Sequence, residues 1–265
     1  MQVSKSYSIH GIITIQINTE NKSILKGLNF PLSYFEVDNG IDKPDITLNI
    51  GEFTPSNENC YLVDHKYYIK RNYFYCQDNS GKAFWKAEII GFEGLPTIIN
   101  FQGKITGVHQ VLAPDLLAQD VIVMPLFEIL LGLKGYFWVH GGGIVDNHGG
   151  ILFVGRSGSK KTTIVMDAMR NGFKSLGDER VLLDIRKGRV YSFPIYPKIF
   201  EYTYRNSKTE NIDSFKKLLL IPYLRNERFV DLWQKEAVGI KAIYILKKDT
   251  KSNELVINPM SRDES

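Results

Sequence analysis

One short segment constrains the fold of this chain more than any other feature. It reads Gly155-Arg156-Ser157-Gly158-Ser159-Lys160-Lys161-Thr162, with an apolar run at 151–154 before it and apolar residues at helical spacing after it. A buried strand, a glycine-containing loop and a helix in this order match the phosphate-binding pattern G-x-x-x-x-G-K-[S/T]. The N–H groups of such a loop and the positive end of the helix converge on phosphate oxygens, the lysine contacts the terminal phosphates, and the hydroxyl ligates Mg²⁺. The sequence therefore predicts that ATP and Mg²⁺ bind here.

One position of the loop departs from this pattern, because Lys160 stands where glycine normally precedes the lysine. Glycine is favoured there since the backbone turns in a way that a side chain resists, or comes close to phosphate. Lys160 could point outward and add positive charge, or it could weaken nucleotide binding and mark a chain that has lost catalysis. A glycine-and-serine turn that binds no ligand is the remaining alternative. The residues expected to contact the nucleotide are Gly155, Ser157, Gly158, Ser159, Lys160, Lys161, Thr162 and Thr163.

The rest of the chain divides into a strand-rich part and a mixed part. Strands are predicted at 6–18, 46–50, 67–76, 84–90 and 97–101, where β-branched and aromatic residues alternate with polar ones between turn residues. A helix is predicted at 115–133, a short strand at 136–139, a hairpin turn at 146–150 and a late core strand at 241–248. We predict an α/β fold with a β-rich N-terminal region at 1–110, for scaffolding or substrate recognition, and a P-loop core at 111–265. The sheet of that core should be mixed, because a hairpin leads into the phosphate strand.

Composition narrows the classes of function. The formal net charge of +4 is mild and dispersed, so nucleic acid is not a predicted partner. Two cysteines, without paired histidines nearby, predict neither a disulfide framework nor a structural zinc site. The most apolar stretch, 121–133, is interrupted by Pro125 and Glu128 and is shorter than the roughly 20 residues of a membrane span. The N-terminus lacks an apolar signal core, so we expect a cytoplasmic protein.

Residues 140–184 resemble the HPr kinase/phosphorylase family and its shorter relatives. The resemblance is carried by His140-Gly141, the hairpin through Gly149-Gly150, the phosphate loop, the helix that ends at Asn171-Gly172-Phe173, and Leu176-Gly177-Asp178-Glu179 before an apolar strand. Among the relatives are kinases encoded with lasso-peptide biosynthesis, which are similar in size and in the β-rich region that precedes the core. They phosphorylate a serine at the C-terminus of a precursor peptide. The resemblance implies an ATP-dependent kinase that acts on a serine-type hydroxyl of a peptide or protein.

The resemblance also implies catalytic roles. Asp178 would be the general base, His140 would orient the base or the phosphoryl group, and Lys161 would hold the phosphates. Asp184 is the alternative acidic residue, because it ends an apolar strand as the Mg²⁺-binding aspartate does in ordinary P-loop NTPases. A structural histidine at a strand end is the alternative for His140.

The implied magnesium ligands are Thr162, Glu179 and Glu201. Glu179 replaces the second aspartate of the family's acidic pair, and a solvated acidic turn is its alternative. Glu201 corresponds to a downstream glutamate, with an exposed strand carboxylate as the alternative. The bifunctional family has a glutamate where this chain has Thr163, which favours a one-way kinase without the reverse, phosphate-removing activity.

Other functions stay open at this point. The chain could be a nucleotide-binding regulator or pseudokinase, a small-molecule kinase, or a module whose N-terminal strands pair with an extended precursor peptide. The bifunctional relatives assemble into rings, so a homo-oligomer is a further possibility, and the relatives usually carry another helix after the last strand. Four basic residues, Lys216, Lys217, Arg225 and Arg228, favour a solvated face over a site for an acidic peptide or a phosphate.

Overall fold

The computed structural model describes residues 3–20, 32–38, 40–79, 83–91, 96–105, 124–193, 233–247 and 256–260. Within these residues the chain is mixed α/β, consists mostly of strand, and contains two mixed sheets. The helices are a 3₁₀ turn (Ser33–Phe35), α1 (Met124–Leu133) and α2 (Lys161–Arg170). None of the helices in these ranges has the length and apolar character needed to cross a membrane.

The N-terminal region forms a nine-stranded sheet in the order β3-β1-β2-β4-β9-β8-β7-β6-β5. Its strands are β1 (Val3–Ile9), β2 (Ile13–Thr19), β3 (Glu36–Val37), β4 (Ile46–Ile50), β5 (Tyr61–Val63), β6 (Tyr67–Lys70), β7 (Tyr73–Asn79), β8 (Ala83–Ile90) and β9 (Thr97–Ile105). Strands β2, β4 and β9 are parallel neighbours, and the other pairs are antiparallel. The predicted β-rich region is therefore confirmed.

Two of the predicted strands are hairpins instead. Residues 6–18 divide at a turn where His10 and Gly11 have φ of 50° and 68°, and residues 67–76 divide at Asn72, whose φ is 55°. Positive φ reverses the chain direction over one or two residues, and it is uncommon enough outside glycine that the alternation alone predicted continuous strands. The prediction of single strands over these two ranges was wrong.

The second sheet has seven strands in the order β10-β14-β15-β16-β12-β11-β13. These are β10 (Tyr136–Val139), β11 (Gly141–Asp146), β12 (Gly149–Gly155), β13 (Lys174–Gly177), β14 (Val181–Asp184), β15 (Arg189–Tyr191) and β16 (Val238–Leu246). Only β12 and β16 pair in parallel among the described strands of this sheet. The predicted mixed sheet and its hairpin into β12 are confirmed. The predicted helix is present at Met124–Leu133, and 115–123 lies outside the described residues.

The two ends of this sheet meet through a long antiparallel ribbon. Only His140 separates β10 from β11, and residues 178–180 separate β13 from β14. Val139 pairs with Val181 and Gly143 pairs with Gly177, so the register is the same on both sides of the gap. Because β11 also pairs with β12 and β14 also pairs with β15, the neighbouring strands form a closed ring.

The interior of this ring is apolar. Each strand from β12 to β16 contributes, and the buried members are Leu152, Leu176, Val181 and Val190. On its outer side, α2 covers one part of the ring and the nine-stranded sheet covers another. Residues 156–160 therefore connect a strand of the ring to the helix that packs on its outer side.

The predicted late core strand is present as β16, but its residues are at most half-buried. Val238 and Ile240 pack against the interior cluster. Ile243 and Ile245 are 53% and 46% exposed. The reason is that β15 pairs only with the beginning of β16, so none of the described strands lies beside the second half on that side.

Candidate functional site

Glycines in β11 bring α2 against the ribbon. A Cβ on Gly142 would lie 2.6 Å from Cγ2 of Val165 in α2, and a Cβ on Gly141 would lie 2.7 Å from the carbonyl oxygen of Phe153. Any side chain at these positions would push the helix or β12 away from the strand. The start of α2 therefore lies directly beside the ribbon.

The loop before α2 turns with Lys160 in the left-handed conformation, at φ 73° and ψ 17°. Gly158 also has positive φ, at 82°, and the N–H of Ser159 donates to the carbonyl of Arg156 at 3.1 Å. The side chain of Lys160 is exposed and makes no capping hydrogen bond. Lysine here adopts the backbone that glycine normally supplies, at a cost of about 1–2 kcal/mol, and directs its charge outward.

Lys161 is buried, and its ammonium points back into the loop. Its Nζ donates to the carbonyl oxygens of Gly155 at 2.6 Å and Arg156 at 3.1 Å. The hydroxyl of Ser159 is also buried, without a hydrogen-bond partner among the described residues. Gly155 leaves room for this arrangement, since a Cβ there would lie 2.8 Å from that hydroxyl. The loop thus holds an ammonium group and a hydroxyl that could both donate hydrogen bonds to a bound anion.

Thr162 and Asp178 are in direct contact. The Thr162 hydroxyl donates to Oδ2 of Asp178 at 3.0 Å, and Asp178 is only 2% exposed. Gly177 makes the sharp bend that aims Asp178 at α2, because its φ is 152° and a Cβ there would lie 2.2 Å from the carbonyl oxygen of Arg180. The ribbon therefore brings a buried carboxylate to the first turn of the helix that follows the loop.

The alternative acidic residue, Asp184, lies elsewhere. It ends β14, and its Oδ1 accepts a hydrogen bond at 3.1 Å from the backbone N–H of Lys187. This contact closes the turn between β14 and β15. Of the two candidates, the structure places Asp178 against Thr162 and Asp184 in a turn.

His140 and Glu179 lie on the same stretch of the ribbon as Asp178. His140 is exposed at the bend between β10 and β11, and Glu179 is half-buried. The N–H of Gly141 donates to the carbonyl of Glu179 at 3.2 Å, which joins the two strands at this point. Glu201 lies outside the described residues. No three His, Cys, Asp or Glu side chains in the described part of the chain group closely enough to hold a metal by themselves.

Two cationic residues near the site, one beside the loop and one on the ribbon, were not predicted from the sequence. Gly155 pairs with Leu246, so the exposed Lys247 follows β16 beside the loop. Arg180 lies two residues after Asp178, with its guanidinium 4.8 Å from the centre of the Trp138 ring. Both placements depend on strand pairing between distant segments, for which the sequence carries no local signal.

No model of a known protein family matches the chain, and no curated protein matches it. A function for this chain is therefore argued from the geometry of the site.

Proposed function

We propose that the chain is an ATP-dependent kinase with a P-loop core, which transfers the γ-phosphoryl group to a serine-type hydroxyl. The observation that carries the proposal is the 3.0 Å contact between Thr162 and Asp178. It joins a buried carboxylate to the hydroxyl that directly follows Lys161, at the start of the helix that follows the loop. Phosphoryl transfer depends on such positioning and on neutralising charge at the phosphates.

The loop and Lys161 would bind the phosphates of ATP. The ammonium now donates to two carbonyl oxygens of the loop, and phosphate oxygens are stronger acceptors for a charged donor. Lys161 would exchange these carbonyls for the terminal phosphates, and the buried Ser159 hydroxyl would gain a partner. Lys160 leaves the backbone of the loop in the conformation that glycine would give, which supports binding rather than a closed loop.

Thr162 fits Mg²⁺, because this ion prefers oxygen ligands and takes the rest of its coordination from phosphates and water, and the hydrogen bond to Asp178 would orient that hydroxyl. Bound Mg²⁺ would supply positive charge against the phosphates. Glu179 is the next carboxylate along the ribbon and could complete the set through water.

Asp178 would also accept the proton of the acceptor hydroxyl. Its carboxylate already accepts the Thr162 hydroxyl at Oδ2, which places it beside the residue that follows Lys161. His140 lies at the exposed bend beside it and would orient the acceptor or the phosphoryl group. The acceptor class, a serine of a peptide or protein, follows from the resemblance to HPr kinase-like enzymes, and we place the protein in the cytoplasm, where ATP is available.

Phosphoryl transfer to serine-ended peptides, read by mass spectrometry with Mg²⁺ and ATP, tests the proposal. Lys161→Ala should abolish transfer and weaken ATP binding by at least about 100-fold, since it removes the charge at the phosphates. Lys187→Ala is the matched control, because Lys187 is exposed in the turn after Asp184, away from the loop. A Lys161→Ala protein that kept most of its transfer would refute the proposal.

A further inference from the structure

The guanidinium of Arg180 lies over an aromatic ring. Its guanidinium carbon lies 4.8 Å from the centre of the Trp138 ring, and Trp138 packs at 4.8 Å between ring centres against the fully buried Phe193. A guanidinium that stacks on an anchored ring loses little further freedom when it binds a planar anion. The side chain is half-buried, so it is partly desolvated and still reachable.

The charge of Arg180 has no counter-ion in the described part of the chain. None of the ion pairs between described residues includes it. The contact with the Trp138 ring is a cation–π contact, which requires none of the guanidinium N–H groups as hydrogen-bond donors. A half-buried cation of this kind is suited to binding a ligand that carries a carboxylate.

The position of Arg180 indicates which ligand this is. Along the ribbon, Gly142 lies against α2, and the register places Arg180 beside His140, further from the helix. Two residues of chain span at most about 7 Å, so the backbone of Arg180 is close to that of Asp178, and its guanidinium extends from there towards Trp138, away from α2. The nucleotide phosphates belong on the helix side of Asp178, and the acceptor must approach from the other.

We propose that Arg180 binds a carboxylate of the acceptor close to the hydroxyl that is phosphorylated. This inference rests on the proposed kinase function and specifies its substrate class. Arginine and a carboxylate form two parallel, charge-assisted hydrogen bonds, which fix the distance and the orientation of the acceptor hydroxyl at Asp178. The carboxylate can come from the C-terminus of a peptide that ends in serine, or from an Asp or Glu side chain next to an internal serine.

The test compares peptides that differ only in this charge. Serine-ended peptides are made as free acids and as C-terminal amides, and peptides with an internal serine are made with a neighbouring Asp or Asn. Wild-type protein should prefer the charged member of one pair by about 10- to 100-fold in kcat/KM, the effect of a charge-assisted pair. Arg180→Gln should lower kcat/KM for the charged peptide to the value for its neutral partner, whereas Arg180→Lys should keep part of the preference. Arg189→Gln is the matched control, because Arg189 is exposed on β15.

The pair that shows the preference identifies the source of the carboxylate. Equal use of charged and neutral peptides by the wild type, or a preference that survives in Arg180→Gln, would overturn the proposal. ATP affinity checks that each variant is folded. Equilibrium binding of the same peptides, carrying a fluorescent label, separates the kinase function from the role of Arg180. ATP binding without any transfer contradicts the kinase function. In that case, tighter binding of the free acid than of the amide still supports the role of Arg180, and equal binding refutes it. If none of the charged peptides binds, the role of Arg180 is refuted.

Discussion

Replacing Lys160 with glycine should stabilise the protein. Lys160 has φ 73° and ψ 17°, a conformation that costs a residue with a Cβ about 1–2 kcal/mol and costs glycine almost nothing. Glycine also gives the unfolded chain more conformational entropy, which lowers the free energy of unfolding by about 0.4–1 kcal/mol. Since the side chain is exposed and makes no capping bond, no packing is lost. We therefore expect a net increase of about 0.5–1 kcal/mol in the free energy of unfolding, with a melting temperature higher by about 1–4 °C.

The assay is urea unfolding without nucleotide, combined with titration of ATP. Lys160→Ala keeps the Cβ and removes the charge, so it should show no gain in stability and separates the two effects. ATP affinity of Lys160→Gly should stay within about fivefold of wild type, the effect of one exposed charge. A loss of stability in Lys160→Gly would refute the strain argument. If the wild type does not bind ATP and Lys160→Gly does, Lys160 closes the loop to the nucleotide.

Two further predictions concern the scaffold. Burial acts to raise the pKa of Glu88 on β8, but the three hydrogen bonds that it accepts at 2.6–2.8 Å outweigh burial and leave the pKa below its ordinary value. Because the folded pKa is depressed, the stability contributed by ionised Glu88 is present above the unfolded pKa of about 4.3 and is lost as pH falls through the folded pKa. Glu88→Gln should therefore lower the free energy of unfolding by about 1–3 kcal/mol at pH 7. Unfolding curves from pH 7 to 3 should show this difference between the two proteins shrinking, and a constant difference would contradict the prediction. Gly142→Ala should cost about 1–3 kcal/mol and weaken ATP binding, because its Cβ would meet Val165 at 2.6 Å. In Gly132→Ala, the matched control in α1, the added Cβ meets nothing within 4 Å, so equal effects of the two changes in thermal unfolding and ATP titration would contradict the packing argument.

Local pattern was sufficient to predict the elements around the loop. The apolar run, the glycines and the helical spacing are all contiguous, so β12, the loop and α2 lie where the sequence predicts them. The hairpin composition at 146–150 correctly predicted an antiparallel partner for β12 and hence a mixed sheet. Turns at His10 and Asn72 were missed because non-glycine residues with positive φ leave no clear mark in the pattern of alternation.

The assembly of the site depended on pairings that the sequence does not show. Asp178 meets Thr162 only because Gly143 in β11 pairs with Gly177 in β13 and Gly177 bends the chain. The exposure of Ile243 in β16 depends on which elements cover the strand, and Arg180 could be connected with Trp138 only from the pairing of β10 with β14. Spacing along the chain carries none of this information.

The most direct test of the central claim is the effect of Asp178→Asn on ATP affinity and on phosphoryl transfer, measured on the same protein sample. Asparagine keeps the size of the side chain and removes the charge that would accept the proton. ATP should bind within about tenfold of wild type, while transfer should fall by at least about 100-fold. Asp184→Asn, which keeps an oxygen that can accept the hydrogen bond from the Lys187 N–H, should transfer at nearly the wild-type rate. Unchanged transfer in Asp178→Asn, or a selective loss of transfer in Asp184→Asn, would contradict the account.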